Sequence, residues 1–176
     1  MTDYVEKLDF VTDRGLGARA RLGLIVLQTD QTIEHEFAGI IGPQDDVALY
    51  TARIPNAMEV SPDTLRQMAI DLPHTAGLLP EKFRFDVVGY ACTSGATMIG
   101  EEQVSTLIRD VHPSVKTTNP ISACKAALTA LGVKQIALLT PYPVDVTLQM
   151  QANLQDAGFE TTAVATFDQS DDFTVA

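Results

Sequence analysis

Cys92 is the residue of this 176-residue chain whose type and surroundings most directly indicate chemistry. It opens the run Cys92-Thr93-Ser94-Gly95, where a predicted buried strand meets a predicted helix. A thiol at a helix N-terminus interacts favourably with the helix dipole and with free N–H groups, so the sequence predicts a lowered pKa and more thiolate. The adjacent hydroxyls and N–H groups would hold a carboxylate and stabilise an enediolate-like transition state. A buried cysteine that only fills space is the alternative, and the local sequence leaves both open.

The elements predicted around Cys92 are those of an α/β protein. Short apolar runs, each typical of a buried parallel strand, alternate with helical segments along the whole chain. This alternation predicts a parallel sheet flanked by helices, with functional sites at the carboxyl ends of the strands. Pro73 is predicted to break or kink the second helix. The predicted strands are 21–27, 47–53, 85–91, 115–118, 133–140 and 159–165, and the predicted helices are 32–38, 62–78, 93–111, 120–131 and 143–156.

The order of these elements predicts two lobes. Residues 1–132 hold four strand–helix units and would form a first α/β lobe that carries the catalytic cysteine. Residues 133–176 would begin a second α/β lobe, whose first strand is equivalent to the strand at 22–27 in the first. No helix is predicted after the strand at 159–165, so we expect the biological chain to continue past Ala176.

Composition and charge exclude several classes of partner. The chain is 45% hydrophobic, and none of its apolar stretches reaches the roughly 18 residues that a membrane span requires. Its net charge is −11 and its Lys and Arg residues are scattered, so neither nucleic acid nor an anionic membrane is an expected partner. The N-terminal residues show no secretory signal, which predicts a cytoplasmic protein. A small carboxylate remains possible as a substrate, because local N–H groups or an isolated Arg can bind it.

The sequence predicts neither a metal site nor a bound cofactor. Cys92 and Cys124 are the two cysteines, and neither has a histidine at metal-ligand spacing. The glycines show no nucleotide-phosphate motif. The histidines and the acidic pairs are interpreted as solvated surface residues. They are His35, His74 and His112, and the pairs Asp45-Asp46 and Asp171-Asp172.

Three segments, taken together, resemble the maleate cis-trans isomerases and their relatives in the aspartate/glutamate racemase superfamily. Those relatives include arylmalonate decarboxylases, aspartate and glutamate racemases, and the ectoine-utilisation protein A group. The resemblance covers roughly residues 20–170, and three motifs in one order are far more specific than any one of them. The segments are 21–37 (RLGLIVLQTDQTIEHEF), 89–95 (GYACTSG) and 138–142 (LLTPY).

This resemblance implies two pseudosymmetric flavodoxin-like lobes, an active site between them, one cysteine from each lobe and a homo-oligomer. Cys92 matches the first-lobe cysteine of the isomerases and racemases, whereas arylmalonate decarboxylases have glycine there, which argues against decarboxylation. Thr93 and Ser94 match residues that line the carboxylate pocket. Tyr142 matches a tyrosine whose hydroxyl binds a substrate carboxylate. Without the resemblance, Tyr142 would be interpreted as a half-buried loop residue.

Two departures from the family pattern affect the expected function. Asp30 stands where maleate isomerases have an asparagine, and an acid there disfavours a second substrate carboxylate unless it is protonated or turned away from the site. With an amino acid or amidine substrate, Asp30 could instead pair with a substrate nitrogen. The wording around Asp30 is closer to the ectoine-utilisation group, which implies amino acids or cyclic amidine derivatives as substrates. The second-lobe cysteine of the family has no match here; Cys124 lies on a predicted helix and is interpreted as a packing residue.

The resulting expectation is a cofactor-independent isomerase or racemase that acts at the carbon next to a carboxylate by cysteine chemistry. Cys92 would be catalytic, and Thr93, Ser94, Tyr142 and Asp30 would bind the substrate. Ectoine catabolism is one context that the resemblance implies. The alternative is a non-catalytic protein of the same fold that binds a carboxylate metabolite, which Asp30 and the unmatched second cysteine keep open.

Overall fold

The computed structural model describes residues 5–42, 46–80 and 82–175, which form an α/β fold with two parallel sheets. Within these ranges, none of the helices has the length and apolar character needed to cross a bilayer. The strands are β1 (Ala20–Leu27), β2 (Val47–Ile54), β3 (Val87–Tyr90), β4 (Lys116–Thr118), β5 (Gln135–Thr140) and β6 (Glu160–Thr166). The helices are α1 (Ile33–Ile40), α2 (Pro62–Ala76), α3 (Thr93–Ile99), α4 (Glu101–Arg109), α5 (Pro120–Ala130), α6 (Val144–Asp156) and α7 (Asp172–Val175).

The first sheet has four parallel strands in the order β2-β1-β3-β4, and the second sheet pairs β5 with β6 in parallel. The order of the first sheet is that of flavodoxin-like folds, so the predicted fold class is confirmed. The register places Leu27 opposite Ile54 and Ile25 opposite Tyr90, which brings the carboxyl ends of β1, β2 and β3 to one edge. We refer to β1 through α5 as the first lobe and to β5 through α7 as the second lobe; the boundary at residue 132 stays a prediction.

The two lobes share one hydrophobic core. Apolar residues of the central strands, such as Ile25, Val88 and Tyr90, are fully buried in one cluster with residues of α2 and α3. Val146 and Met150 of α6 belong to the same cluster of buried side chains. Helix α3, which follows β3, packs against α2 in the first lobe and against α6 in the second. The N-terminus of α3 therefore lies where the lobes meet.

Three elements differ from the sequence prediction. The single helix predicted to reach Val111 is two helices, because Gly100 adopts φ +98 and ends α3 while it begins α4. Helix α2 is not broken at Pro73 but continues to Ala76, because a proline in the last turn removes only one hydrogen bond and the Gly77 N–H still bonds to the Pro73 carbonyl. A short helix, α7, follows β6, where no helix was predicted.

Candidate active site

Cys92 follows β3 and forms the N-cap of α3. Its backbone is extended, and its Sγ accepts a hydrogen bond from the Gly95 N–H at 3.2 Å. The Ser94 Oγ lies 3.7 Å from the same sulfur. Only 4% of Cys92 is exposed. The predicted position, at the end of the third strand and within reach of the first N–H groups of the next helix, is confirmed, and the catalytic role stays a prediction.

The pKa of Cys92 moves in the opposite direction to the one that the sequence predicted. Burial raises the pKa of the thiol above its ordinary value, and the hydrogen bonds from Gly95 and Ser94 offset only part of that increase. The nearby charge of Asp172 raises the pKa further. The helix-terminus argument fails because it left out the loss of solvation, which disfavours the charged thiolate. The Gly95 and Ser94 donors are nevertheless in place to stabilise a thiolate once it forms.

Gly95 is the position where this arrangement tolerates no side chain. A Cβ atom there would lie 2.5 Å from the Tyr90 hydroxyl oxygen and 2.9 Å from the Cys92 sulfur. The Tyr90 side chain is fully buried, and its hydroxyl donates to the Met68 sulfur at 3.6 Å. Glycine is therefore needed for the Gly95 N–H to approach the sulfur beneath the packed tyrosine.

Tyr142 of the second lobe reaches the same place. It follows β5, and its backbone carbonyl accepts hydrogen bonds from Thr166 at the end of β6 and from Thr147 of α6. Burial raises the pKa of the Tyr142 hydroxyl, and Cys92 raises it further, whereas hydrogen bonds with Thr93 and Ser94 lower it. The hydroxyl of Tyr142 therefore lies beside Thr93 and Ser94, and its role in binding a substrate carboxylate stays a prediction. The hydroxyl groups of Thr93, Ser94 and Tyr142 and the thiol of Cys92 thus come together from the two lobes.

Asp172 is a member of this site that the sequence analysis missed. It was interpreted as part of a solvated acidic turn, but only 6% of the residue is exposed; Asp45, of the other acidic pair, lies outside the described residues. The Asp172 side chain accepts hydrogen bonds from Thr29, just after β1, and from Asn56, just after β2. Its charge raises the pKa of both Cys92 and Tyr142.

Backbone pairing between the lobes holds Asp172 in this position. The Asp172 N–H donates to the Met58 carbonyl at 2.8 Å, and the Val60 N–H donates to the Ser170 carbonyl at 2.8 Å. Asp171 and Glu59 form the antiparallel bridge between these bonds. Thr29 and Asn56 lie just after β1 and β2, where polar residues mark the edge of the sheet, but Asp172 lies beyond β6 at the start of α7, and no local pattern in the sequence identifies it. Its burial depends on this contact between distant segments.

Asp30 lies at the start of α1, and its side chain is directed toward the first N–H groups of that helix. Its carboxylate accepts hydrogen bonds from the Thr32 and Ile33 N–H groups, both at 2.9 Å, and so occupies the N-terminal end of α1. Its carbonyl accepts from Arg53 at 2.8 Å. These contacts give Asp30 a structural role at the start of α1. A contact between Asp30 and a substrate nitrogen stays a prediction. Asp172 is the carboxylate whose charge raises the pKa of Cys92.

Two further interpretations of individual residues are wrong. Cys124 of α5 is exposed rather than packed in the core. His112 is buried rather than solvated; its Nε2 lies 2.8 Å from the Ala76 carbonyl, and its ring meets the edge of Phe85. His35 and His74 are exposed, as predicted. Among the residues that the structure describes, no group of His, Cys, Asp and Glu is arranged to hold a metal ion.

Comparison with known proteins identifies the fold. No family profile matches the chain. The maleate isomerase of Geobacillus stearothermophilus is 24% identical over 155 residues, which cover 81% of this chain and 61% of that protein. The chain therefore spans about three fifths of the length of this relative.

Solved structures give the same result. A variant of the Nocardia farcinica maleate cis-trans isomerase, with a covalently bound succinylcysteine intermediate, matches with a TM-score of 0.76 and 22% identity over 89% of this chain and 66% of that one. A liganded mutant of arylmalonate decarboxylase matches with a TM-score of 0.69 and 22% identity over 86% of this chain and 63% of that one. This chain is thus similar in sequence to a maleate isomerase and shares the fold of maleate isomerase and arylmalonate decarboxylase structures.

Proposed function

We propose that this protein, which shares the fold of maleate isomerase, is a cofactor-independent isomerase that acts at the carbon next to a carboxylate, with Cys92 as its catalytic thiol. One observation carries the proposal. The Cys92 sulfur accepts the Gly95 N–H at the carboxyl end of β3, beside Ser94 and beneath Tyr142 from the second lobe. This chemistry needs a thiol, hydrogen-bond donors that stabilise the thiolate, and hydroxyl groups that bind the substrate carboxylate.

The first route is addition and elimination at a double bond. The Cys92 thiolate forms a bond from its sulfur to one alkene carbon, and the alkene electron pair moves toward the carboxylate, giving an enediolate. The former double bond is then single and can rotate. The electron pair returns, the carbon–sulfur bond breaks and the trans alkene leaves with the thiolate restored. The succinylcysteine intermediate of the Nocardia farcinica enzyme supports this route by analogy.

The second route is proton transfer at a saturated carbon, as in a racemase. The Cys92 thiolate removes the proton next to the carboxylate and becomes a thiol, and a proton is delivered to the opposite face by a second group. Thr93, Ser94 and Tyr142 hold the carboxylate oxygens while negative charge develops on them. We propose amino acids or cyclic amidine derivatives, as in ectoine catabolism, as the substrate class for this route.

A specific observation favours the rival function, a binding protein without catalysis. Burial raises the pKa of Cys92, which disfavours the thiolate that both routes require. A binding protein needs only the hydroxyl groups of the site and would tolerate loss of the thiol. The two functions therefore differ in whether any reaction depends on the Cys92 sulfur.

Replacement of each cysteine in turn tests the proposal. Cys92→Ser should abolish turnover while the protein stays folded, because a hydroxyl is nearly isosteric but supplies no comparable anion. Cys124→Ser is the matched control and should retain turnover, since Cys124 is exposed on α5. The measurements are conversion of maleate to its trans isomer and solvent deuterium incorporation next to the carboxylate of amino acids and ectoine derivatives. Equal activity of Cys92→Ser and the wild-type protein would refute the assignment.

A further inference from the structure

Asp172 is a buried carboxylate that no cation neutralises. Only 6% of the residue is exposed, and none of the Lys, Arg or His side chains in the described ranges forms an ion pair with it. Removing a carboxylate from water is costly unless a cation or several hydrogen-bond donors compensate. A buried carboxylate without a cation beside the Cys92 thiol therefore needs a functional explanation.

The hydrogen bonds of Asp172 leave half of the carboxylate free. Thr29 Oγ1 and Asn56 Nδ2 both donate to Oδ2, the latter at 2.6 Å, and no donor among the described residues bonds to Oδ1. An ionised carboxylate accepts hydrogen bonds at both oxygens. The arrangement fixes the orientation of the side chain through Oδ2 and leaves Oδ1 able to accept a hydrogen bond from a ligand.

The elements that carry Asp172 place its carboxylate on the same side of the molecule as Cys92 and Tyr142. Its two donors follow β1 and β2, and Cys92 follows β3. All three therefore lie at the carboxyl edge of one sheet, in which β1 runs between β2 and β3. Asp172 and Tyr142 follow neighbouring strands of the second sheet. The two edges face each other, because α3 packs on α6 and residues 170–172 pair with residues 58–60.

We propose that Asp172 determines substrate specificity by accepting a cationic N–H group, so that the substrate carries one carboxylate and one ammonium or amidinium group. This inference rests on the proposed function and names its substrate class. The hydroxyls of Ser94 and Tyr142 take the carboxylate, and Oδ1 of Asp172 takes the nitrogen. A dicarboxylate such as maleate would bring a second negative charge toward Asp172 and is disfavoured by like-charge repulsion.

Binding of two small probes tests this assignment. Succinate has two carboxylates, and β-alanine replaces one of them with an ammonium group on the same spacing. The wild-type protein should bind β-alanine more tightly than succinate. Asp172→Asn keeps the shape of the side chain and an acceptor oxygen but removes the charge. It should change the ratio of the two dissociation constants by about tenfold to a hundredfold in favour of succinate, the scale of one hydrogen bond to a charged group.

The neighbouring Asp171 provides the control. It is exposed, and Asp171→Asn removes the same charge while an oxygen remains to accept from the Phe173 N–H. This variant should leave the ratio unchanged. Calorimetric titration gives the constants, and thermal unfolding confirms that each variant is folded. The proposal is overturned if the wild-type protein prefers succinate, if neither probe binds, or if Asp172→Asn keeps the wild-type ratio.

Turnover is measured separately, so that the two ideas can fail independently. If a Cys92-dependent reaction is found but Asp172→Asn does not alter the binding ratio, only the specificity assignment is wrong. If the ratio changes as expected but no reaction depends on Cys92, the proposed catalysis is wrong, and Asp172 is a recognition residue of a binding protein.

Discussion

Replacement of Gly95 by alanine tests the packing on which the site depends. The added Cβ would lie 2.5 Å from the Tyr90 hydroxyl oxygen and 2.9 Å from the Cys92 sulfur, closer than real Cβ atoms approach. Neither neighbour moves cheaply, because the tyrosine is fully buried and the sulfur is held by the Gly95 N–H. Overpacking of this kind costs about 1–3 kcal/mol of unfolding free energy.

Gly39→Ala is the matched control for this substitution. Gly39 also lies in a helix, but a Cβ there meets no atom within 4 Å. Alanine at such a position stabilises a helix by about 0.5–1 kcal/mol. The two variants should therefore differ by about 1.5–4 kcal/mol in unfolding free energy, with Gly95→Ala the less stable.

Urea and thermal unfolding measure the difference. For a chain of this size, the melting temperatures of the two variants should be separated by roughly 5–15 °C. Gly95→Ala should also lose turnover, since the clash displaces the sulfur from its N–H donor. If Gly95→Ala were as stable as Gly39→Ala, the close packing of Tyr90 over the cysteine motif would be wrong.

Two pH-dependent predictions follow from the remaining titratable groups. In the Cys124→Ser variant, alkylation of Cys92 should be slow at neutral pH and should increase with pH beyond the ordinary thiol range of about 8.5, because burial raises its pKa; a rate already at its plateau at pH 7 would contradict this. The pKa of Glu101 lies below its ordinary value. Burial by itself would raise it, but the hydrogen bonds from Lys125 and Ser122 have the larger combined effect. A carboxyl group whose pKa is lower in the folded protein than in the unfolded chain stabilises the fold at any pH above the pKa of the unfolded chain. This contribution is lost as the pH falls through the pKa of the folded protein. Glu101→Gln should thus cost about 1–2 kcal/mol at pH 7 and less at pH 3, measured by urea unfolding at both pH values; an equal cost at both would show that charge is not involved.

Local patterns in the sequence were sufficient to predict the fold class and the position of the thiol. Apolar runs of strand length between helical segments predicted the parallel sheet, and the change from apolar to small polar residues placed Cys92 where β3 ends. Tyr142 was placed by the same reasoning after β5. These predictions hold because strand ends and helix starts depend on neighbouring residues, and because the carboxyl ends of parallel strands meet at one edge.

Tertiary structure decided how these residues are solvated and which acid joins them. The pKa of Cys92 is raised and not lowered because packing from both lobes removes it from water. Cys124, which was predicted to be packed, is exposed, and His112, which was predicted to be solvated, is buried. The reason is the same, since the exposure of a side chain depends on which face of its element a neighbouring element covers. Asp172 joins the site only because residues 170–172 pair with residues 58–60, far away in the sequence. Contacts between such distant segments leave no periodic trace in the chain, so the charge balance of the site is determined only when the two lobes pack.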